Sequence, residues 1–293
     1  MEDHTSKSYS TFYLIGNPVA HSISPQIFNA LFEHFHLPYN YTKMLVTSQK
    51  LPDILNTFKK QGIIGFNVTI PLKNTIMDYL DEISPIAKKI GAVNSVKIQN
   101  GRTIGTNTDI QGIQNSFEQA GYVHQVNQQV VLVGSGGAAY AAASYLSNYT
   151  TTLSIINRTL ENAENLRRNM VSHPENKVKI TCYPLHCPQE ESILESADLI
   201  INATPIGMWP QSDYDPIDGY IPKQNQWVFD MVYNPIETKL LRKSKLNGAK
   251  TISGLDMLIY QAAEAFRWWI DWVPNIELMK HVAVQNLSII SSE

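Results

Sequence analysis

The stretch Val130-Val131-Leu132-Val133-Gly134-Ser135-Gly136-Gly137-Ala138-Ala139 decides the fold of this 293-residue chain. Its four leading apolar residues are typical of a short parallel strand that is buried on both faces. The glycines allow a tight turn and a close approach of the backbone to a pyrophosphate, and the small residues after them let a helix pack tightly on the strand. The stretch therefore predicts an α/β chain with a Rossmann-like, doubly wound dinucleotide-binding domain.

The end of the next strand indicates which dinucleotide binds. Residues 153–156 are predicted to form this strand, which ends at Asn157-Arg158-Thr159. An NAD-binding domain usually presents Asp or Glu here to the ribose 2′-hydroxyl. Arg158 can instead bind a 2′-phosphate bidentately. We therefore expect NADP rather than NAD; the alternative is that Arg158 is only a solvated loop residue.

Composition and charge argue against several other classes of function. The formal net charge of −3 gives no footprint for nucleic acid or anionic lipid. The first ten residues lack the apolar centre of a secretory signal, and no apolar run reaches the roughly 18–20 residues that a membrane span needs. Cys182 and Cys187 match neither a disulfide framework nor a metal-ligand spacing. We expect a cytoplasmic protein without a metal, a nucleic-acid partner or a membrane partner.

A second stretch, Asn67-Val68-Thr69-Ile70-Pro71-Leu72-Lys73, places a lysine just past the end of a strand. The apolar residues before Pro71 have the pattern of a strand. Pro71 ends it, because proline cannot donate to a strand ladder and suits the first turn of a helix. Open α/β sheets bind their ligands at such strand ends. A lone lysine here is more often a solvated surface cation, so the other polar stretches decide between the two roles.

Two serines precede the first predicted helix. Ser24 is predicted as its N-cap and Pro25 as its first helical residue. Ser22 has no such structural role in the pattern. Two hydroxyls ahead of a helix N-terminus are well placed to bind a polyhydroxylated anion.

Polar side chains also flank a predicted hairpin. Asn94 stands at its start, and Asn100-Gly101 is a strong signal for its turn. Asp109 follows the second strand and precedes a helix predicted over residues 110–121. Asp109 is either an N-cap or a functional carboxylate.

The rest of the chain continues the alternation of strands and helices. Strands are predicted to end at Asn202-Ala203-Thr204-Pro205 and near Asp230. A basic helix is expected over residues 236–246. Ser253-Gly254 reads as a break before a long helix over about 256–272, which carries Gln261. The Trp268-Trp269 pair is expected in a core or an interface.

Together these stretches resemble the shikimate dehydrogenase family. The resemblance covers nearly the whole chain, and its pieces occur in the family's order. The pieces are Gly16-Asn17-Pro18-Val19-Ala20-His21-Ser22 with Ser24-Pro25, the stretch from Asn67 to Lys73, Gly91-Ala92-Val93-Asn94, Gly105-Thr106-Asn107-Thr108-Asp109, the glycine turn, Asn157-Arg158-Thr159, Asn202-Ala203-Thr204-Pro205, and Gly254-Leu255-Asp256-Met257-Leu258 with Gln261.

The resemblance implies an N-terminal open α/β substrate domain of residues 1–110 and 253–293, and a Rossmann-like NADP-binding domain of residues 111–252. It implies reversible NADPH-dependent reduction of 3-dehydroshikimate to shikimate, in the chorismate and aromatic amino-acid pathway. We expect a monomer or a homodimer.

The resemblance also implies roles for individual residues. Lys73 and Asp109 match the catalytic pair, with Lys73 as proton donor and Asp109 orienting it. The substrate shell is expected to contain Ser22, Ser24, Asn67, Thr69, Lys73, Asn94, Asp109, Tyr233 and Gln261. The cofactor contacts are expected to be Gly134, Ser135, Gly136, Gly137, Ala138, Asn157, Arg158, Thr159, Thr204, Met208 and Gly254.

Two positions depart from the family's usual pattern, and rival functions remain open. Phe28 stands where a histidine is common and is expected to be a packing residue. Asn162 stands where Lys or Arg often contacts the 2′-phosphate, and Glu161 beside it adds an unfavourable charge. A quinate/shikimate dehydrogenase with relaxed NAD and NADP use is therefore one alternative. A non-catalytic shikimate-binding paralogue is another, although it would not need Lys73 and Asp109. Some other NADP reductase would leave the substrate-shell residues unexplained.

Overall fold

The computed structural model describes residues 10–149, 151–173, 176 and 178–290, which form twelve strands and eleven α-helices. The strands are β1 (Ser10–Gly16), β2 (Tyr39–Leu45), β3 (Gly65–Val68), β4 (Glu82–Ile83), β5 (Ser95–Gln99), β6 (Arg102–Thr106), β7 (Gln128–Val133), β8 (Thr151–Asn157), β9 (Lys179–Pro184), β10 (Leu199–Asn202), β11 (Trp227–Asp230) and β12 (Lys250–Ser253). The helices are α1 (Ser24–His34), α2 (Leu51–Gln61), α3 (Leu72–Thr75), α4 (Pro85–Ile90), α5 (Asp109–Gln119), α6 (Gly137–Leu146), α7 (Leu160–Val171), α8 (Glu190–Glu195), α9 (Lys239–Leu246), α10 (Gly254–Ile270) and α11 (Ile276–Ile290).

The described residues form two compact units. The first contains the chain up to Ser84, Val93–Thr106, and the chain from Ala262 onward. The second contains Pro85–Ala92 and Asn107–Gln261. The last division between them falls within α10.

The first unit is built on a mixed six-stranded sheet with the order β2-β1-β3-β5-β6-β4. β1 pairs in parallel with β2 and β3, because α1 and α2 return the chain to the same edge of the sheet. β3, β5 and β6 pair in antiparallel fashion. Asn100 and Gly101 both have positive φ, as the predicted hairpin turn requires.

Aromatic side chains fill the core of the first unit. Phe28 is fully buried and stacks on Tyr41, with ring centroids 4.5 Å apart. Trp269 lies 4.9 Å from Phe12, and its Nε1 donates a hydrogen bond to Val96 O at 3.1 Å. Phe28 therefore packs as predicted, and Trp269 is a core residue.

The second unit is built on an all-parallel sheet with the order β12-β11-β10-β7-β8-β9. This doubly wound order confirms the predicted Rossmann-like fold. Val130 and Leu132 of β7 pack into one hydrophobic cluster, whereas Val131 and Val133 pack into another. Residues 130–133 of this strand are all apolar because both faces of that part of the strand are buried.

Two predicted helices have different boundaries in the structure. The basic helix α9 begins at Lys239 rather than at Ile236, because the Thr238 side chain accepts a hydrogen bond from Leu241 N and caps the helix there. The long helix α10 directly follows β12: β12 ends at Ser253, and α10 starts at Gly254, rather than at about Asp256, and ends at Ile270, rather than at about Trp272.

No helix in the described part of the chain is long and apolar enough to cross a membrane.

Candidate active site

In the first unit, Lys73 is the second residue of the short helix α3, which follows the carboxyl end of β3. Backbone hydrogen bonds fix this turn from several sides. Thr69 N donates to Ile15 O at 2.9 Å, and Val93 N donates to Lys73 O at 2.8 Å. β3 ends at Val68, three residues before Pro71, and Pro71 is the cap residue of α3, so the prediction that Pro71 itself ends the strand and lies in the first helical turn was wrong. Lys73 is half-buried.

The structure brings Asn67 and Asn94 together. Asn67 Nδ2 donates to Asn94 O at 3.1 Å, and Val68 N donates to the same carbonyl at 2.9 Å. The hydroxyl of Tyr41 donates to Asn67 Oδ1 at 2.8 Å. Burial raises the pKa of Tyr41 well above its usual value, so the phenol stays protonated and remains a donor. Tyr41 was missed in the sequence, where nothing distinguishes it from other aromatic residues of a strand.

Ser22 and Ser24 also lie together, although Ser24 is not the N-cap of the helix. Ser24 is the first residue of α1, and Ile23 occupies the cap position without a side-chain bond, so the N-cap prediction for Ser24 was wrong. Ser22 Oγ accepts from Ser24 N at 3.2 Å and donates to Ser24 Oγ at 3.1 Å. Lys43 Nζ donates to Ser22 O at 3.3 Å and so fixes the loop. Two hydroxyls are thus held side by side.

In the second unit, Asp109 is buried and is the first residue of α5. Thr108 occupies the cap position, so Asp109 is not the N-cap. A carboxylate in the first turn interacts favourably with the helix dipole. The N–H of Asp109 donates to Asn107 Oδ1 at 2.9 Å, and Asn107 Nδ2 donates to Ala92 O at 2.9 Å. This side chain, not predicted from the sequence, fixes the start of the helix.

The helices that carry Asp109 and Gln261 meet at Gly112. A Cβ at Gly112 would lie 2.6 Å from Met257 O and 3.2 Å from the Cβ of Gln261. Only glycine permits this approach of α5 to α10. Gln261 Nε2 donates to Leu258 O at 2.8 Å, within its own helix.

The glycine turn in the second unit has the properties that a pyrophosphate needs. Gly134 has a φ of +105°, and a Cβ there would lie 2.8 Å from the Thr204 methyl carbon. A Cβ at Gly136 would meet nothing within 4 Å, so the backbone is open to a ligand. α6 begins at Gly137 with no side chain capping its first N–H groups. Such a helix start binds anions.

The end of β8 presents the predicted amide and guanidinium. Asn157 Nδ2 donates to Thr159 O at 2.8 Å, which orders the turn. Arg158 is exposed and forms no ion pair with any described residue. The neighbouring Glu161 is paired with Arg168 at 2.8 Å. Arg158 is thus free to bind an anion, and the unfavourable charge of Glu161 is partly neutralised.

The loop after β10 carries Thr204 and Met208. Thr204 Oγ1 donates to Asn202 Oδ1 at 2.6 Å, and Met208 N donates to Pro205 O at 3.1 Å. A cavity of about 370 Å³ lies beside this loop and is lined by Ile206 and Gly207. Its other walls include His186 and an acidic segment, and it does not include the glycine turn.

Packing against the neighbouring backbone requires glycine at position 254, which the sequence could not reveal. A Cβ there would collide with the Met231 carbonyl and lie 2.7 Å from Val232 O. The backbone of α10 thus touches the turn that carries the half-buried Tyr233.

Cys182 is not a reactive thiol, because burial raises its pKa to about 12. The described residues contain no cluster of three or more His, Cys, Asp or Glu that could hold a metal ion.

An all-parallel doubly wound sheet, a glycine turn at its central strand and an open helix start define a dinucleotide-binding protein. Three family models match the chain: the shikimate dehydrogenase substrate-binding domain over residues 14–96, shikimate/quinate 5-dehydrogenase over 118–206, and the shikimate 5′-dehydrogenase C-terminal domain over 254–283. The chain belongs to the shikimate dehydrogenase family.

Relatives with curated names and solved structures match over nearly their full length. The shikimate dehydrogenase (NADP(+)) of Methanocaldococcus jannaschii is 43% identical, over 94% of this chain and 96% of its own. A crystal structure of a shikimate dehydrogenase in complex with NADP+ has a TM-score of 0.84 and 41% identity, covering 95% of this chain and 96% of that chain. The quinate dehydrogenase of Corynebacterium glutamicum in complex with NAD also has a TM-score of 0.84, at 28% identity, covering 94% and 99%. The resemblance inferred from the sequence is confirmed.

Proposed function

We propose that this chain is an NADP-dependent shikimate dehydrogenase, an oxidoreductase that interconverts 3-dehydroshikimate and shikimate in aromatic amino-acid biosynthesis. The observation that carries the proposal is the turn between β7 and α6, which is open at Gly136 and is accompanied by Arg158, an exposed cation that pairs with no described residue. Relatives about 40% identical over almost the whole chain are NADP-dependent shikimate dehydrogenases.

The residues of the second unit fit NADP. The N–H groups from Ser135 to Ala138 would hold the pyrophosphate at the start of α6. Arg158 and Thr159, with Asn157 ordering the turn, would hold the 2′-phosphate. Thr204, Met208 and Gly254 complete the proposed contacts. When bound, NADPH supplies the hydride that reduces the ketone.

The proposed substrate shell suits a molecule with several hydroxyl groups and one carboxylate. In the first unit it comprises hydroxyls and amides in pairs: Ser22 with Ser24, and Asn67 with Asn94. Thr69 and Lys73 follow on the same turn. In the second unit, Asp109, Tyr233 and Gln261 are the proposed contacts. Hydrogen-bonding sites of this kind reject analogues that lack the matching hydroxyl.

Lys73 is the proposed proton donor. Reduction of a ketone generates negative charge on its oxygen, which needs a proton donor within hydrogen-bonding reach. An ammonium group supplies both the opposite charge and the proton. Asp109, the proposed partner, accepts a hydrogen bond from a substrate hydroxyl. No metal is needed for these roles.

The remaining assignments are part of the same proposal. Residues 1–110 and 253–293 are proposed to form the substrate domain and residues 111–252 the NADP domain. The family models for the substrate-binding and C-terminal domains, over 14–96 and 254–283, support this division. We place the protein in the cytoplasm as a monomer or homodimer. We propose no nucleic-acid or membrane partner, because the net charge of −3 does not favour binding to a polyanion or to anionic lipid.

Relaxed specificity is the second candidate function. Asn162 replaces a cation on the first turn of α7, which weakens the predicted grip on a 2′-phosphate. A relative of the same fold is a quinate dehydrogenase in complex with NAD. Arg158, which forms no ion pair within the described part of the chain, favours NADP over this alternative.

The test is the reduction of 3-dehydroshikimate with NADPH by the purified protein, with the product identified by NMR. Formation of shikimate, dependent on both enzyme and cofactor, is expected. Consumption of NADPH without shikimate, or no reaction while 3-dehydroshikimate binds, would contradict the proposal.

A further inference from the structure

Asp230 is a fully buried carboxylate that the proposed mechanism does not use. It is the last residue of β11, at the edge of the sheet where the cofactor loops begin. Its two oxygens accept three hydrogen bonds: Oδ1 from Asn202 Nδ2 at 2.9 Å and Val232 N at 3.0 Å, and Oδ2 from Thr238 Oγ1 at 2.6 Å. Burial raises its pKa to about 6, so it remains a charged acceptor at neutral pH.

Asn202 connects this carboxylate to the cofactor loop. Asn202 and Asp230 are register partners at the ends of β10 and β11. Asn202 Nδ2 also donates to Ile206 O at 3.2 Å, and its Oδ1 accepts from Thr204 N at 3.0 Å and from Thr204 Oγ1 at 2.6 Å. A single amide therefore holds both sides of the loop, and Asp230 fixes the orientation of that amide.

These hydrogen bonds fix the side chain of Thr204. Its hydroxyl donates to Asn202 and accepts from Ile206 N at 3.2 Å, so its only hydrogen is already used. Its methyl carbon is the nearest atom to the Cβ direction of Gly134 in the glycine turn. The chain of bonds that begins at Asp230 thus ends at the turn that receives the pyrophosphate.

Asp230 also holds the next segment of the chain. Its bond from Val232 N shapes the turn that carries Tyr233, and Thr238, which donates to it, caps α9. Its removal would leave three buried donors without an acceptor, and the loops that they belong to would shift to recover hydrogen bonds.

We propose that Asp230 is a positioning residue, which acts through Asn202 to hold the loop of Thr204 and Met208 in its cofactor-binding shape before the cofactor arrives. The proposal rests on the proposed function only in that NADP is the ligand. Neither the sequence motifs nor the family comparisons assign a role to Asp230.

The test compares three variants by calorimetric titration of NADP into the full chain. Asp230→Ala removes the acceptor. Asp230→Asn keeps an oxygen for Asn202 and Val232, while its amide donates to the Thr238 hydroxyl, which has a second lone pair available. Gln226→Ala is the matched control: Gln226 is equally buried, makes four hydrogen bonds, and precedes the opposite end of the same strand.

Both Ala variants are expected to unfold at a lower temperature. Only Asp230→Ala is expected to weaken NADP binding, by tenfold or more, while Asp230→Asn stays within about threefold of the wild-type protein and Gln226→Ala within about twofold. Unchanged NADP affinity in Asp230→Ala, or an equal loss in Gln226→Ala, would overturn the proposal.

A second measurement needs no variant and covers the case in which Asp230→Ala does not fold. In the wild-type protein without cofactor, the amides of Thr204 and Ile206 are expected to exchange slowly with deuterium, because both are hydrogen-bonded. Exchange as fast as in an unstructured loop would refute preorganisation. Shikimate oxidation is assayed separately, so a protein that binds NADP without turnover would count against the proposed function and not against the role of Asp230.

Discussion

At the scale of the residue, charge at strand ends is what separates this chain from a generic α/β protein. Lys73 follows β3, and Arg158 follows β8. Both positions past a strand end could be predicted from the apolar patterns of β3 and β8, although β3 ends at Val68 and not at Pro71. The caps could not: Ser24 and Asp109 have the residue types of N-caps, but each lies one position inside its helix. Propensity does not distinguish neighbouring positions of one turn.

Replacement of Lys73 by methionine keeps the aliphatic stem and removes the ammonium. Turnover is expected to fall by about two orders of magnitude or more, as loss of general acid catalysis does, with a smaller change in the KM for shikimate. Steady-state kinetics measure both constants. Lys60→Met, on the exposed face of α2, is the control and should behave as the wild-type protein. Near-normal turnover in Lys73→Met would remove Lys73 from the mechanism.

Replacement of Arg158 by leucine should change cofactor choice rather than chemistry. Loss of a charge-assisted bond to the 2′-phosphate costs about 1.5–3 kcal/mol, which corresponds to a rise of roughly tenfold or more in the KM for NADP. The KM for NAD should hardly change. Arg242→Leu is a control for lost surface charge, since Arg242 is exposed on α9. Equal effects on NADP and NAD would show that Arg158 does not contact the phosphate.

At the scale of the element, the strands with the most buried residues were the easiest to recognise in the sequence. The central strands β7 and β10 are buried at nearly every position and were visible as apolar runs. β9 and β12 are the edge strands of the same sheet, are partly exposed and contain lysine, so their pattern is weak. Periodicity detects an element only when the core dictates most of its residues.

Two glycines in the second unit are expected to respond differently to replacement by alanine: one replacement should weaken NADP binding, and the other should lower stability. Gly136→Ala adds a Cβ that meets no protein atom, so stability should change by less than about 1 kcal/mol while NADP binding weakens. Gly254→Ala drives a Cβ into the Met231 carbonyl and should cost about 2–4 kcal/mol. Urea unfolding and NADP titration separate the two effects. A Gly254→Ala protein as stable as the wild type would contradict the packing role of Gly254, and its NADP titration would then test the proposed cofactor contact by itself.

The connector between α5 and β7, which the sequence marks only as polar, contains a packed histidine. The His124 ring stacks on Tyr149 with centroids 3.7 Å apart, and its nitrogens lie within hydrogen-bonding distance of Tyr145 Oη at 3.0 Å and Gln128 Nε2 at 2.9 Å. Burial lowers the pKa of His124 from 6.5 to about 4. The folded protein thus keeps the ring neutral at a pH where the unfolded chain protonates it.

The stability that His124 contributes should therefore be present above about pH 6.5 and should be lost as the pH falls toward about 4. Since the ring is partly exposed, we expect a loss of about 1–2 kcal/mol. Urea midpoints of the wild-type protein and of His124→Phe, at about pH 7.5 and pH 4.5, isolate this contribution, because other titrating groups cancel in the difference. A pH dependence identical in both proteins would contradict the lowered pKa.

At the scale of the whole molecule, the order of motifs along the chain was enough to predict the family and both folds. Each motif lies at a strand end, and strand ends are recognisable from proline, glycine and the loss of alternation. The network from Thr238 through Asp230 to Asn202 was not predictable. Its members are separated by up to 36 positions in sequence, and only the register of β10 with β11 brings them together. Contacts between strands depend on register, which local patterns do not encode.

The central claim is tested most directly by following nicotinamide absorbance with shikimate or quinate, each offered NADP or NAD. The account predicts rapid reduction of NADP with shikimate and far slower reaction in the other three combinations. Efficient turnover of quinate or NAD would establish the relaxed dehydrogenase, with Asn162 as the first residue to exchange for lysine. No turnover in any combination, with shikimate and NADP still bound, would contradict the account and identify a binding protein.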